Sequence, residues 1–107
     1  MDGRCQEAVT LFGQERFGAQ YPDTITEAGL VGLCARLDSA RQANEDIDDA
    51  FLAGLKKKID ISLKNHHSKG ILVFGHAGCA GNPVNNSRHK EDVLRAADVV
   101  RTLVDND

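Results

Sequence analysis

His76 and Cys79 carry the most chemistry in this 107-residue chain. They sit in Gly75-His76-Ala77-Gly78-Cys79-Ala80-Gly81-Asn82-Pro83, a loop of small residues that follows the apolar run Ile71-Leu72-Val73-Phe74. An imidazole and a thiolate at this spacing suit zinc, which takes nitrogen at about 2.0–2.1 Å and sulfur at about 2.3 Å. The intervening Ala and Gly residues let a loop wrap closely around an ion. Taken alone, His-x-x-Cys equally describes a loop with one polar histidine and one cysteine packed as a small hydrophobe. A further chemistry for the pair is thiol catalysis, with Cys79 as nucleophile and His76 as base. That reading lacks a group to orient the histidine and a recognisable set of oxyanion donors.

Asp2 and Arg4 form a second constellation. A carboxylate two residues from a guanidinium can make a bidentate, charge-assisted pair, which when buried keeps the Asp ionised and fixed. At an exposed terminus the same two residues contribute almost nothing. His66, His67 and His89 titrate near neutrality and are conceivable proton carriers, but the simpler expectation places them at helix ends or in a first turn on the surface. Lys56-Lys57-Lys58 reads as a solvated helix face.

The elements that must position these residues follow from periodicity. A helix is expected over Gln6–Phe17, stopped by Gly18. Pro22 breaks the chain and residues 23–27, with Thr24, Ile25 and Thr26, read as a short strand. A short helix over 30–37 and a polar connection over 39–44 come next. Ile47, Phe51, Leu55 and Ile59 recur every four residues and predict a helix capped by Asn44 or Asp46, running to about Asn65. Residues 71–74 read as a strand buried on both faces. Ser87 is expected to cap a last helix whose apolar face is Val93, Ala96, Ala97, Val100, Leu103 and Val104.

Such alternation predicts an α/β fold: a single domain over residues 1–107, with a small parallel sheet and helices on both faces. Composition is that of an ordinary globular protein, 41% hydrophobic and 27% charged. A net charge of −3 and 5% aromatics give no case for nucleic acid. No apolar stretch reaches the ~20 residues of a membrane span, and no signal peptide is visible. Three cysteines without framework spacing point to free thiols in a reducing cytoplasm.

Together, the two constellations resemble a known family. Asp2-Gly3-Arg4 looks like the tail of the Cys-x-Asp-x-Arg motif of β-class carbonic anhydrases, and Gly75-His76-Ala77-Gly78-Cys79 like that class's Gly-His-x-x-Cys motif. The similarity covers nearly the whole chain and is strongest to the small carbonic-anhydrase-like proteins of prokaryotes. The resemblance implies zinc held by His76, Cys79 and one Cys of the first motif, with water or Asp2 in the fourth position. Zinc lowers the pKa of bound water to about 7 and generates hydroxide for attack on carbon dioxide, giving bicarbonate. Asp2 would orient that hydroxide and Arg4 would hold Asp2 off the metal. The class also implies a homo-oligomer, a dimer packed through hydrophobic surface.

The chain departs from that pattern. The first-motif cysteine, and the central strand that carries it, are expected immediately before Met1, which makes Met1 an internal start in this reading. Cys5 is an imperfect substitute as a ligand, and Cys34 is expected to be buried in a helix. Thr26-Glu27-Ala28-Gly29-Leu30 stands where the family has Arg-Asn-Ala-Gly-Asn, and Ala80 replaces a common Gly. A catalytically incomplete relative, acting as a metal-binding or interaction domain, is therefore the alternative function.

Overall fold

The computed structural model describes residues 3–44 and 48–104. Helix α1 spans Gln6–Phe17 and ends where the sequence stops it: Gly18 turns left-handed at φ 64° and its N–H reaches Gln14 O at 2.9 Å. Helix α2 covers Leu30–Gln42, longer than expected, because the segment read as a polar connection continues the helix. Helix α3 covers Asp49–Asp60 and extends through one wider, π-type turn, Ile61–Asn65. Its cap is Asp48, whose carboxylate accepts the Phe51 N–H at 3.0 Å. Asn44 takes a turn conformation instead, at φ 56°, and Asp46 lies outside the described residues. Helix α4 covers Asn86–Leu103. Its cap is Asn85, not Ser87, and accepts the Arg88 N–H at 2.8 Å.

The core forms where the apolar stripes of α2, α3 and α4 meet: Val31 and Cys34, then Leu52, Leu55 and Ile59, then Ala96 and Val99. Burying each of the larger side chains contributes about 1.5–3 kcal/mol. Val99 is wholly enclosed. Polar contacts seal the rim, with Arg95 donating to Ser39 Oγ at 2.7 Å and Arg41 to Thr102 Oγ1 at 3.2 Å. By contrast α1 buries no residue, and Leu11 and Phe12 face outward. No described helix is long and apolar enough to cross a membrane.

Among the described residues the expected parallel sheet is absent. Among the described residues the architecture is entirely helical, which overturns the α/β reading with helices on both faces. Residues 23–26 and 71–74 are irregular, and no backbone hydrogen bond joins them to each other or to anything else described. A strand draws its stability from a ladder with its neighbours, and two short segments with no third partner do not make a stable sheet. What the segments retain is packing: Ile25 and Val73 rest against the helical core, while Ile71 and Leu72 remain 40% and 36% exposed. The β-branched run was real, but a run buried on both faces needs covering on both faces.

Polar bonds fix the first segment instead. Asp23 accepts hydrogen bonds from Ser62 Oγ and from His66 Nδ1, both at 2.7 Å. These bonds, Ser62's first, hold its carboxyl below the usual carboxylate range. His66 thus fastens an extended segment to the end of α3.

Truncating the enclosed side chain tests the helical core. Val99→Ala should lower unfolding free energy in urea by about 2 kcal/mol. Leu94→Ala, on the exposed face of the same helix, should change it by less than about 0.5 kcal/mol.

Candidate metal-binding loop

Three glycines allow the His76–Cys79 loop to lie directly on α2. Gly29 opens α2 in the left-handed region at φ 66°, and a side chain there would run into the backbone of Gly81. A Cβ on Gly81 would in turn strike Ala28 and Gly29, and one on Gly32 would strike the side chain of Asn82. The loop closes with the Asn82 N–H on Cys79 O at 3.2 Å, and α4 begins four residues later. Glycine is needed here for close approach rather than for flexibility.

Beneath the loop lies a buried polar cluster. Asn82 is 3% exposed, Asp92 3% and His89 9%. The Asn82 Nδ2 amide donates to Asp92 Oδ2 at 2.9 Å and meets His89 Nδ1 at 3.0 Å. Arg88 Nε donates to Asp92 Oδ1 at 3.2 Å. An ionised carboxylate only accepts, so Nδ2 must face Asp92, and the same amide nitrogen leaves His89 Nδ1 as an acceptor. In His89 the ring proton therefore sits on Nε2. Burial acts most strongly on the Asp92 carboxyl and pushes it up, but the hydrogen bonds from Asn82 and Arg88 and the charge of Arg88 together outweigh it and hold it below its ordinary value.

His76 and Cys79 both line a cavity of about 1050 Å³, together with His89 and the two extended segments. Both are half-buried. His76 Nδ1–H donates to Ala77 O at 3.1 Å, which makes Nε2 the lone-pair nitrogen of the neutral ring. A backbone carbonyl that fixes the far nitrogen in this way is the usual support of a metal-ligating histidine. The His76 and His89 rings stand edge to face, with centroids 6.4 Å apart.

The other expected ligands do not join them. Asp2 lies outside the described residues. Arg4 is exposed ahead of α1 and is not part of the cavity wall. Cys5 is the half-buried N-cap of α1. Cys34 reaches the cavity wall, but burial raises its thiol pKa and so favours the form that binds metal poorly. Among the described residues no group of three His, Cys, Asp or Glu side chains is arranged to hold a metal ion. His76 and Cys79 have the right chemistry for two of the four positions of a zinc ion, and among the described residues no third candidate is grouped with them.

His89 overturns the expectation of a surface first-turn histidine, since it is buried. Sequence reasoning also passed over Asn82 and Asp92. A signal was available for two of the three: His89, Asp92, Ala96, Val99 and Leu103 fall at alternating three- and four-residue steps, one continuous stripe of α4. Polar residues on a stripe that must be buried announce a satisfied internal network.

What fold and site define is a helical domain that presents a supported His-x-x-Cys pair at the edge of a large cavity. The family model described as "Putative carbonic anhydrase" matches residues 1–106, and the chain belongs to that family. No curated protein and no solved structure gives a significant match.

Removing the central amide should be expensive. Asn82→Ala leaves Asp92 and His89 short of a partner, and stability at pH 7 should fall by about 1–3 kcal/mol for each group left unsatisfied. A carboxyl with a depressed folded pKa stabilises above its unfolded value and loses that contribution as pH falls through the folded one. Wild-type stability should therefore drop as the pH goes below about 3.9. Asp92→Asn should be less stable at neutral pH and show a shallower acid decline by circular dichroism.

Proposed function

We propose that this chain serves reversible hydration of carbon dioxide to bicarbonate, at a zinc ion to which His76 and Cys79 contribute. The observation that carries the reading is local. In a chain of the carbonic anhydrase family, an imidazole with its far nitrogen tied to a carbonyl and a cysteine three residues on line one cavity. Bound zinc would supply a Lewis acid that activates water for attack on carbon dioxide. His76 would bind through Nε2 and Cys79 through its thiolate, with the remaining ligands drawn from outside the described residues. The roles of Asp2 and Arg4 as an orienting pair rest on the family resemblance alone. Free thiols at Cys34 and Cys79 support a cytoplasmic setting. The outward-facing Leu11 and Phe12 support self-association into a homodimer.

One observation favours a second reading, a family member that binds metal without turnover: among the described residues no group of three potential ligands is arranged to hold a metal ion. Zinc analysis and stopped-flow carbon dioxide hydration separate the two. The purified chain should carry about one zinc, and His76→Ala or Cys79→Ser should lower occupancy at least tenfold and abolish hydration. Full zinc occupancy with no hydration would select the second reading. A folded chain that takes up no zinc would defeat both.

A further inference from the structure

His89 is the unused chemical group of this molecule. Its Nε2 is fully enclosed and has no hydrogen-bond partner among the described residues, while its Nδ1 is committed to Asn82. A buried donor left unsatisfied is destabilising, so its presence beside the cavity lined by His76 and Cys79 needs a reason. The nitrogen lies against Gly75, the residue before His76, and a Cβ on Gly75 would come within 2.5 Å of it. The Gly75 backbone thus covers Nε2 so closely that no side chain fits between them.

We propose that His89 Nε2–H is a binding donor for an anionic oxygen of the substrate, bicarbonate on the carbonic anhydrase reading, seated between Gly75 and the His76–Cys79 pair. The identity of the anion rests on that reading; the donor role rests on the tautomer. His89 does not serve as a third metal ligand, because the nitrogen that faces Gly75 carries the proton. Moving that proton to Nδ1 would set it against the Asn82 Nδ2–H at 3.0 Å. Asn82 cannot turn its amide round to relieve the clash without presenting its carbonyl oxygen to the Asp92 carboxylate. Asp92, itself held by Arg88, thus fixes Asn82, Asn82 fixes the tautomer, and the tautomer makes Nε2 a donor. An oxyanion supplies the acceptor that the protein withholds. Nε2 is covered in this structure, so binding of the anion requires the segment before His76 to move; residues 71–74 make no backbone hydrogen bonds that such a movement would break.

Nitrogen-15 NMR of the full chain with labelled histidine tests this. The free protein should show His89 as the Nε2–H tautomer. Sodium bicarbonate at pH 8 should shift that nitrogen along a saturable curve, and sodium chloride at equal ionic strength should not. His89→Phe should weaken bicarbonate binding at least tenfold, with zinc content unchanged. His89→Gln, which returns an N–H near the same place, should restore affinity to within about threefold. Gly75→Ala should weaken binding with His89 intact. An Nδ1–H tautomer, an unmoved Nε2 at saturating bicarbonate, or an equal shift with chloride would each overturn the proposal. Zinc content measured on the same samples keeps the outcomes apart. A bicarbonate-dependent shift without zinc sustains the donor role and removes the metal reading, whereas zinc uptake with an unmoved Nε2 does the reverse.

Discussion

One side-chain amide ties the loop to the helices. Asn82 Nδ2 reaches Asp92 and His89 at once, while its carbonyl side packs over Gly32 of α2. A buried, ionised carboxylate is tolerable only when hydrogen bonds and a counter-charge replace water. Asn82 and Arg88 supply these to Asp92, and the arrangement in turn fixes where the Cys79–Asn82 turn can lie. The loop needs that anchor because its own backbone contributes little: the segment before His76 has no ladder, and the turn itself closes with a single backbone bond from Asn82 to Cys79.

The dependence runs in both directions. Without Gly29, Gly32 and Gly81 the loop could not approach α2 closely enough for Asn82 to reach α4, and without the polar cluster those glycines would have no neighbour to admit. Sequence positions 29–32, 79–82 and 89–92 thus form one structural unit, although they are spread over some sixty residues. Such a unit is low in local contacts, so its stability belongs to the tertiary fold and not to any one helix.

Much of the helical content was legible because periodicity and caps are local. The stop at Gly18, the Phe51, Leu55 and Ile59 stripe and the burial of Cys34 all follow from residues within a few turns of one another. The strands were not legible in the same sense. Residues 71–74 have the composition of a buried strand, but pairing is a property of the partner, and none of the described residues supplies one. The site was half legible. His76 and Cys79 stand out by type and spacing, whereas Asn82 and Asp92 are ordinary polar residues until the α4 stripe is seen to carry Asp92 inward. The choice of caps failed for a related reason: Asn85 and Asp48 take the caps in place of Ser87 and Asn44 through backbone geometry that composition does not encode.

The two histidines nearest each other divide the chemistry by their second nitrogens. His76 gives its Nδ1–H to a backbone carbonyl, so its other nitrogen is basic. His89 receives at Nδ1 from an amide, so its other nitrogen is a donor. Identical side chains with ring centroids 6.4 Å apart are thereby set to opposite polarity, one suited to a cation and one to an anion. The proposed site, which would hold a metal ion and an oxyanion together, would use that pairing, and the pairing is imposed by hydrogen bonds on the far side of each ring, where no ligand has to reach. The support of the loop, more than the His-x-x-Cys spacing, is therefore what favours a site here over two adjacent polar residues.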